Sequence, residues 1–162
     1  MTLRSFLSQT AGLVGWLLAT FATAAVGVTA SISAPSFYAQ LVRPSWSPPT
    51  WLFGPVWTFL YVLMAISAWL VWRKSGPKAG ALTLFVVQLV ANALWSWLFF
   101  AWHQGALATI EIVVLLALIV ATARAFARTS RTAAWLLVPY ALWVSFATAL
   151  TWTLWRANPG LL

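Results

Sequence analysis

The sequence predicts an all-α integral membrane protein, a single bundle of five transmembrane helices, and three observations predict it. Of 162 residues, 63% are hydrophobic and only 6% charged, with a mean hydropathy of +0.91, whereas soluble domains carry about a quarter charged residues. Five apolar stretches, at about 7–32, 51–72, 79–102, 106–123 and 133–155, each approach the roughly 20 residues that cross a bilayer as helix. The connections are short apart from 33–50, so one domain uses residues 1–162 and leaves no room for a soluble catalytic module.

The first stretch follows Arg4 and ends among small residues such as Ala30 and Ala34. It is longer than the 7 to 15 residues of a secretory signal core, so a retained helix is expected. Ala11, Gly15, Ala19, Thr23 and Gly27 recur at intervals of four, a small-residue ridge that permits close helix approach within the bundle or between subunits.

The connection 33–50 and the second stretch share the most informative run, PSWSPPTWLFGPVWTFLY from Pro44 to Tyr61. Pro48 and Pro49 cannot continue a helix, and Pro55 sits where a first-turn proline costs little, so the run reads as a stiff loop leading into a helix start. A stiff aromatic entrance points to a binding site with the loop as its lid.

The third stretch places Gln88, Asn92 and Ser96 four apart, hence on one helix face. That face suits interhelical hydrogen bonding, the lining of a ligand cavity, or both. The fourth holds Glu111, the only acidic residue, about one turn inside its end. A structural ion pair or hydrogen bond is expected for it, with Arg43 and Arg156 the cations on that side. The fifth repeats a stripe at helical spacing: Tyr140, Trp143 or Val144, Ala147 and Thr151.

The net charge of +8 does not point to nucleic acid, because the nine cations are scattered at helix ends. Arg4, Arg73, Lys74, Lys78, Arg124, Arg128 and Arg131 fall on one side and only Arg43 and Arg156 on the other. This bias predicts a cytoplasmic amino terminus, with the loop 33–50 and the carboxyl terminus on the opposite side. The absence of cysteine excludes disulfides, thiolate metal sites and a cysteine nucleophile.

Depth along the helices decides which residues can share a site. Counting from the lid side, Trp57 and Ser96 lie about 9 Å deep, Ala147 about 12 Å, Asn92 about 15 Å and Trp143 about 18 Å. All fall beneath the proline-rich loop, as a lidded pocket requires. Trp46, Trp51, Trp72, Trp102 and Trp155 stand at stretch ends, where tryptophan marks the membrane interface. Trp143 is too deep for that role and Trp57 is intermediate. Trp57, Tyr61 and Trp143 offer broad apolar faces with polar edges, suited to a flat conjugated ring.

The run from Pro44 to Tyr61 resembles the opening of the second transmembrane helix in the TspO/MBR family of tryptophan-rich sensory and translocator proteins, with its P-S-W-x-P-P-x-W-x-x-G-P-V-W-x-x-L-Y. The fifth stretch, with VPYALWVSFATAL and the WRAN of Trp155 to Asn158, is similar to that family's fifth helix, and Gln88, Asn92 and LWSWLFF lie between. The resemblance covers roughly 37–158. It implies binding of porphyrins, protoporphyrin IX or haem, in a pocket formed by Tyr38, Trp57, Asn92, Ser96, Trp143 and Ala147, and it implies a homodimer. No cofactor and no metal are required.

This chain adds its own constraints. His103 stands alone in a short loop and reads as an interfacial residue, and Met64 is the only methionine besides Met1. Stacking of the macrocycle is therefore favoured over axial ligation of an iron. Arg43 is placed to meet porphyrin carboxylates, and Gln88 and Tyr61 join the binding set. Lipid is the other expected partner. Sterol binding is left open, because Leu150 to Arg156 reads LTWTLWR with Trp152 where sterol-binding members have tyrosine. With no nucleophile and base, paired carboxylates or metal cluster, ordinary hydrolysis is disfavoured. What remains is a porphyrin sensor, sequestering protein or transporter, a light- and oxygen-dependent porphyrin-degrading enzyme using Trp57 or Trp143 as redox groups, or a sterol or lipid carrier. A passive pore is disfavoured by the scarcity of charge within the stretches.

Overall fold

The computed structural model describes residues 3–76 and 80–162, with side chains from Ser8 onward. Lys78, and Ala79 at the expected start of the third span, lie outside the described residues. The elements are α1 (Leu3–Ala30), α2 (Ala34–Gln40), a 3-10 turn (Thr50–Leu52), α3 (Phe53–Ser75), α4 (Gly80–Ser96), a π-helical turn (Trp97–Ala101), α5 (Gly105–Ala127), α6 (Arg131–Leu136) and α7 (Val138–Ala157). Among the described residues, five helical segments are long and apolar enough to cross a membrane, the last formed by α6 and α7 together. Such segments are helical because the hydrocarbon core offers no water to unpaired backbone groups. The chain is an integral, multi-pass membrane protein.

Local chemistry explains where the elements depart from the expected bounds. The connection 33–50 contains a helix, α2, with Pro35 in its first turn, where a missing N–H costs nothing. Helix α5 runs past residue 123 to Ala127, with Arg124 in its last turn, where a cation suits the negative helix end. The fifth span breaks at Leu137, because Pro139 has no N–H to give the preceding turn.

Neighbouring spans close a ring in the order α1, α4, α5, α6–α7, α3 and back to α1. Lipid is as apolar as leucine, so close packing and interhelical hydrogen bonds must hold this ring. Trp72 of α3 lies over Gly12 so closely that a Cβ there would overlap its ring, and Trp69 Nε1 donates to Gln9 O at 3.0 Å. Farther along α1, Ser96 faces Gly27 and Trp97 Nε1 donates to Val26 O at 3.2 Å. Of the expected small-residue ridge, Ala11, Gly15 and Ala19 are exposed. The close approaches fall at Gly12 and Gly27.

Helix α3 is fastened to α6 by the Ser67 hydroxyl, which donates to Ala133 O at 2.7 Å. At the other end α3 and α7 approach at few points, and large side chains occupy the interval. That end also bears the connection 33–50, the expected lid. Phe37, Tyr38 and Leu41 form a second buried cluster with Leu98, Phe99, Ala108, Leu150 and Leu154. Burying such side chains from water stabilises by about 1.5–3 kcal/mol each. His103, at φ 54°, stacks on Phe37 with ring centroids 4.1 Å apart, so it braces the lid against the α4–α5 turn. Trp46, Trp51 and Trp102 are exposed, whereas Trp72 and Trp155 pack onto Gly12 and Gly105.

Candidate functional site

Helices α3, α4 and α7 are joined by a hydrogen-bonded chain. The Tyr61 hydroxyl donates to Asn92 Oδ1 at 2.7 Å, and Asn92 Nδ2 donates to the Tyr140 oxygen at 3.0 Å. All three residues are buried. Trp57, one turn before Tyr61, lies 5.6 Å from the Tyr61 ring and 6.2 Å from that of Tyr140. Phe21 of α1 approaches the other side of Tyr61, at 6.0 Å. The result is a contiguous aromatic wall with its polar atoms turned to one another.

A second series of rings descends from the lid. The Arg43 guanidinium lies 5.1 Å from the Tyr38 centroid, Tyr38 stands 6.0 Å from Phe53, and Phe53 stands 5.9 Å from Trp143. Phe146 follows at 5.6 Å from Trp143, and Trp46 of the lid closes onto it at 5.7 Å. Trp143 is also in the wall of a groove of about 390 Å³ between α3 and α7, with Val56, Phe59, Leu60, Pro139, Leu142 and Phe146. The Tyr38 hydroxyl is buried and has no hydrogen-bond partner among the described residues. Cation, phenol and indole thus follow one another from the lid to the interval between α3 and α7.

The predicted residues fall into these two sets and beyond them. Trp57, Tyr61 and Asn92 belong to the first, with Tyr140; Tyr38, Arg43 and Trp143 belong to the second, joined by Phe53. Ala147 is half-buried against the main core, and Ser96 is half-buried against Gly27. Gln88 lies one turn along α4 from Asn92, wholly buried, with neither amide atom hydrogen-bonded among the described residues. A wider groove, about 670 Å³ between α5 and α7, contains none of the predicted residues.

Sequence reasoning passed over four residues that matter here. Phe53 and Phe146 connect the lid to Trp143, and Tyr140 completes the Asn92 network although its stripe was legible. Asn158 was read only as part of a motif. Its Oδ1 accepts from Val42 N at 2.7 Å, and its Nδ2 donates to Val42 O at 3.0 Å and Leu154 O at 2.8 Å. One expectation is overturned. Glu111 has no ion-pair partner among the described residues, and both its carboxylate oxygens are buried without a hydrogen bond. The two cations on that side lie over aromatic faces instead, Arg43 on Tyr38 and Arg156 at 5.9 Å from both Trp152 and Trp155.

Comparison with known proteins agrees with this architecture. The model of the TspO/MBR family matches residues 13–156. The chain is 43% identical over 143 residues to the tryptophan-rich protein TspO of Chlorobaculum tepidum, covering 83% of this chain and 90% of that protein. It is 39% identical over 128 residues to the human translocator protein, covering 76% of each. It is 35% identical over 147 residues to the tryptophan-rich sensory protein of Cereibacter sphaeroides, covering 88% of this chain and 92% of the other. A match across nearly the whole bundle, with relatives well above 30% identity, shows that the chain belongs to the TspO/MBR family.

Proposed function

We propose that this member of a family of membrane sensory and translocator proteins binds a porphyrin of the protoporphyrin IX type and senses, sequesters or transports it. The observation that supports this reading is the series Arg43, Tyr38, Phe53, Trp143. It sets one cation above successive aromatic faces, complementary to a flat apolar ring with carboxylates on one edge. The proposed orientation has the amino terminus in the cytoplasm, so the ligand enters from the opposite side, under the lid. A homodimer is part of the same reading, as the family resemblance implies.

Arg43→Ala tests the ligand assignment. It should weaken protoporphyrin IX by about fivefold, as expected for a semi-exposed ion pair, and leave the dimethyl ester nearly unchanged, read by tryptophan quenching. Equal losses for both ligands would reduce Arg43 to a structural role.

A second reading, light- and oxygen-dependent porphyrin breakdown, is favoured by the contact of Trp57 with Tyr61 and Tyr140, which makes a continuous set of oxidisable rings. Trp143→Phe separates the two, because phenylalanine retains a stacking face and loses the oxidisable indole. Under illumination in oxygen, a binder gives the photobleaching of free porphyrin with wild type and variant alike. An enzyme gives a defined product by mass that diminishes in the variant while binding survives.

A further inference from the structure

The end of the bundle opposite the lid gathers five cations from three helices. Arg73 and Lys74 stand in the last turn of α3, Arg124 in the last turn of α5, Arg128 just beyond it, and Arg131 at the start of α6. All five side chains are exposed. They are held together by the fold: Lys74 Nζ donates to Thr129 O at 3.3 Å and Ser75 Oγ to Thr129 Oγ1 at 3.5 Å. The Ser67 bond to Ala133 clamps α3 to α6 deeper in the bundle.

Nothing in the chain balances this charge. Glu111 is the only acidic residue, and it lies 16 residues before Ala127 on α5, about 24 Å away along the axis. That is beyond the roughly 8–10 Å screening length of physiological salt. Arg124 in the last turn of α5 and Arg128 at its C-cap are also four apart, a spacing at which like charges repel in the absence of an anion. Aromatic rings fix the depth: Arg73 lies 4.4 Å from the Trp69 centroid, and Trp135, one turn after Arg131, is 71% exposed. Exposed tryptophan at a helix end marks the lipid headgroup level, which is where phosphates are found.

We propose that this face is a binding site for an anionic phospholipid whose headgroup carries two phosphates. The cations fall into two groups, 73–74 on α3 and 124–131 at the α5–α6 corner, fixed side by side by the Lys74 bond to Thr129. A headgroup with two linked phosphates places one on each group, and the link makes the second contact intramolecular, which a single-phosphate lipid cannot achieve. A topological role alone needs only that the charges lie on one side of the membrane. This site additionally selects among anionic lipids.

Native mass spectrometry of the full chain in neutral detergent tests the selection, with cardiolipin and phosphatidylglycerol offered at equal phosphate. The expected result is a retained cardiolipin, bound about tenfold more tightly than phosphatidylglycerol. A surface cation is worth about fivefold in binding anionic lipid, so Arg124→Gln with Arg128→Gln should weaken cardiolipin about twentyfold. Arg43→Gln with Arg156→Gln removes the same charge at the lid end and should leave binding within about twofold. Equal losses in the two double variants would overturn the proposal, since net charge would then explain them. So would displacement of cardiolipin by inorganic pyrophosphate, which would make the site one for a free diphosphate. If the basic double variant does not fold, the wild-type comparison decides alone, and cardiolipin binding no better than phosphatidylglycerol overturns the proposal.

Discussion

Asn92 sits in apolar surroundings with its amide committed on both sides, accepting from Tyr61 and donating to Tyr140. Removing it strands two buried phenols, and each unsatisfied group costs about 1–3 kcal/mol. Asn92→Leu should therefore lower the melting temperature in detergent sharply. Tyr61→Phe with Asn92→Leu and Tyr140→Phe should recover most of the loss, because replacing every partner by apolar groups is nearly neutral. If the triple variant melts no higher than Asn92→Leu, the network is not what holds α3, α4 and α7 together. The spacing of Gln88, Asn92 and Ser96 made this helix face legible in the sequence, but not which residue meets which neighbour. Asn92 meets two tyrosines from other spans, Ser96 meets Gly27, and Gln88 makes no side-chain hydrogen bond among the described residues. Those outcomes depend on helix rotation, which one helix's own periodicity does not encode. Glu111 shows the same limit. Its cost in the membrane was evident from its type, whereas the preference of Arg43 and Arg156 for aromatic faces was not.

At the scale of elements, the lid is held by side chains that come from opposite ends of the sequence. Asn158, just past α7, makes a two-way amide bond with the backbone of Val42 and also caps Leu154. The lid then follows the carboxyl end of the fifth span instead of floating over the site. Asn158→Ala removes both bonds to Val42, at about 0.5–1.5 kcal/mol for each. Amide exchange at Val42 should rise at least tenfold, and bound porphyrin should leave faster while the core melting temperature changes little. Unchanged exchange at Val42 would mean that burial of Phe37, Tyr38 and Leu41 alone secures the lid. Proline placement announced this stiff connection, although α2 within it went unread because seven residues are too few for a periodic signal. In α1 the ridge spaced by four pointed to Gly15 and Gly27; the structure uses Gly27 but takes Gly12, off that ridge, in place of Gly15. Two crossing helices touch α1 at separate points, so one straight ridge does not describe its contacts.

For the whole molecule, hydropathy specified five spans, while the ring order α1, α4, α5, α6–α7, α3 rests on side-chain fit that hydropathy does not contain. Topology belongs to charge. The chain has nine cations, and seven of them fall at the amino terminus, the α3–α4 connection and the α5–α6 corner. Five of the seven are seen to converge on the end opposite the lid, with Arg43 and Arg156 at the lid end. Translocating a lysine or arginine is resisted, so the basic end should stay in the cytoplasm. An odd number of spans then puts the two termini on opposite sides. Reporter fusions that are active only in the cytoplasm should work at the amino terminus and at Thr129, and fail after Leu162. Replacing Arg73, Arg124, Arg128 and Arg131 by Gln while adding lysines beside Arg43 should erode or invert that pattern. Activity after Leu162 in the unmodified chain would place the lid and Arg43 in the cytoplasm. The ring series could still bind a porphyrin there, but the ligand would have to arrive from inside the cell, and a role in taking it up from the opposite compartment would be lost.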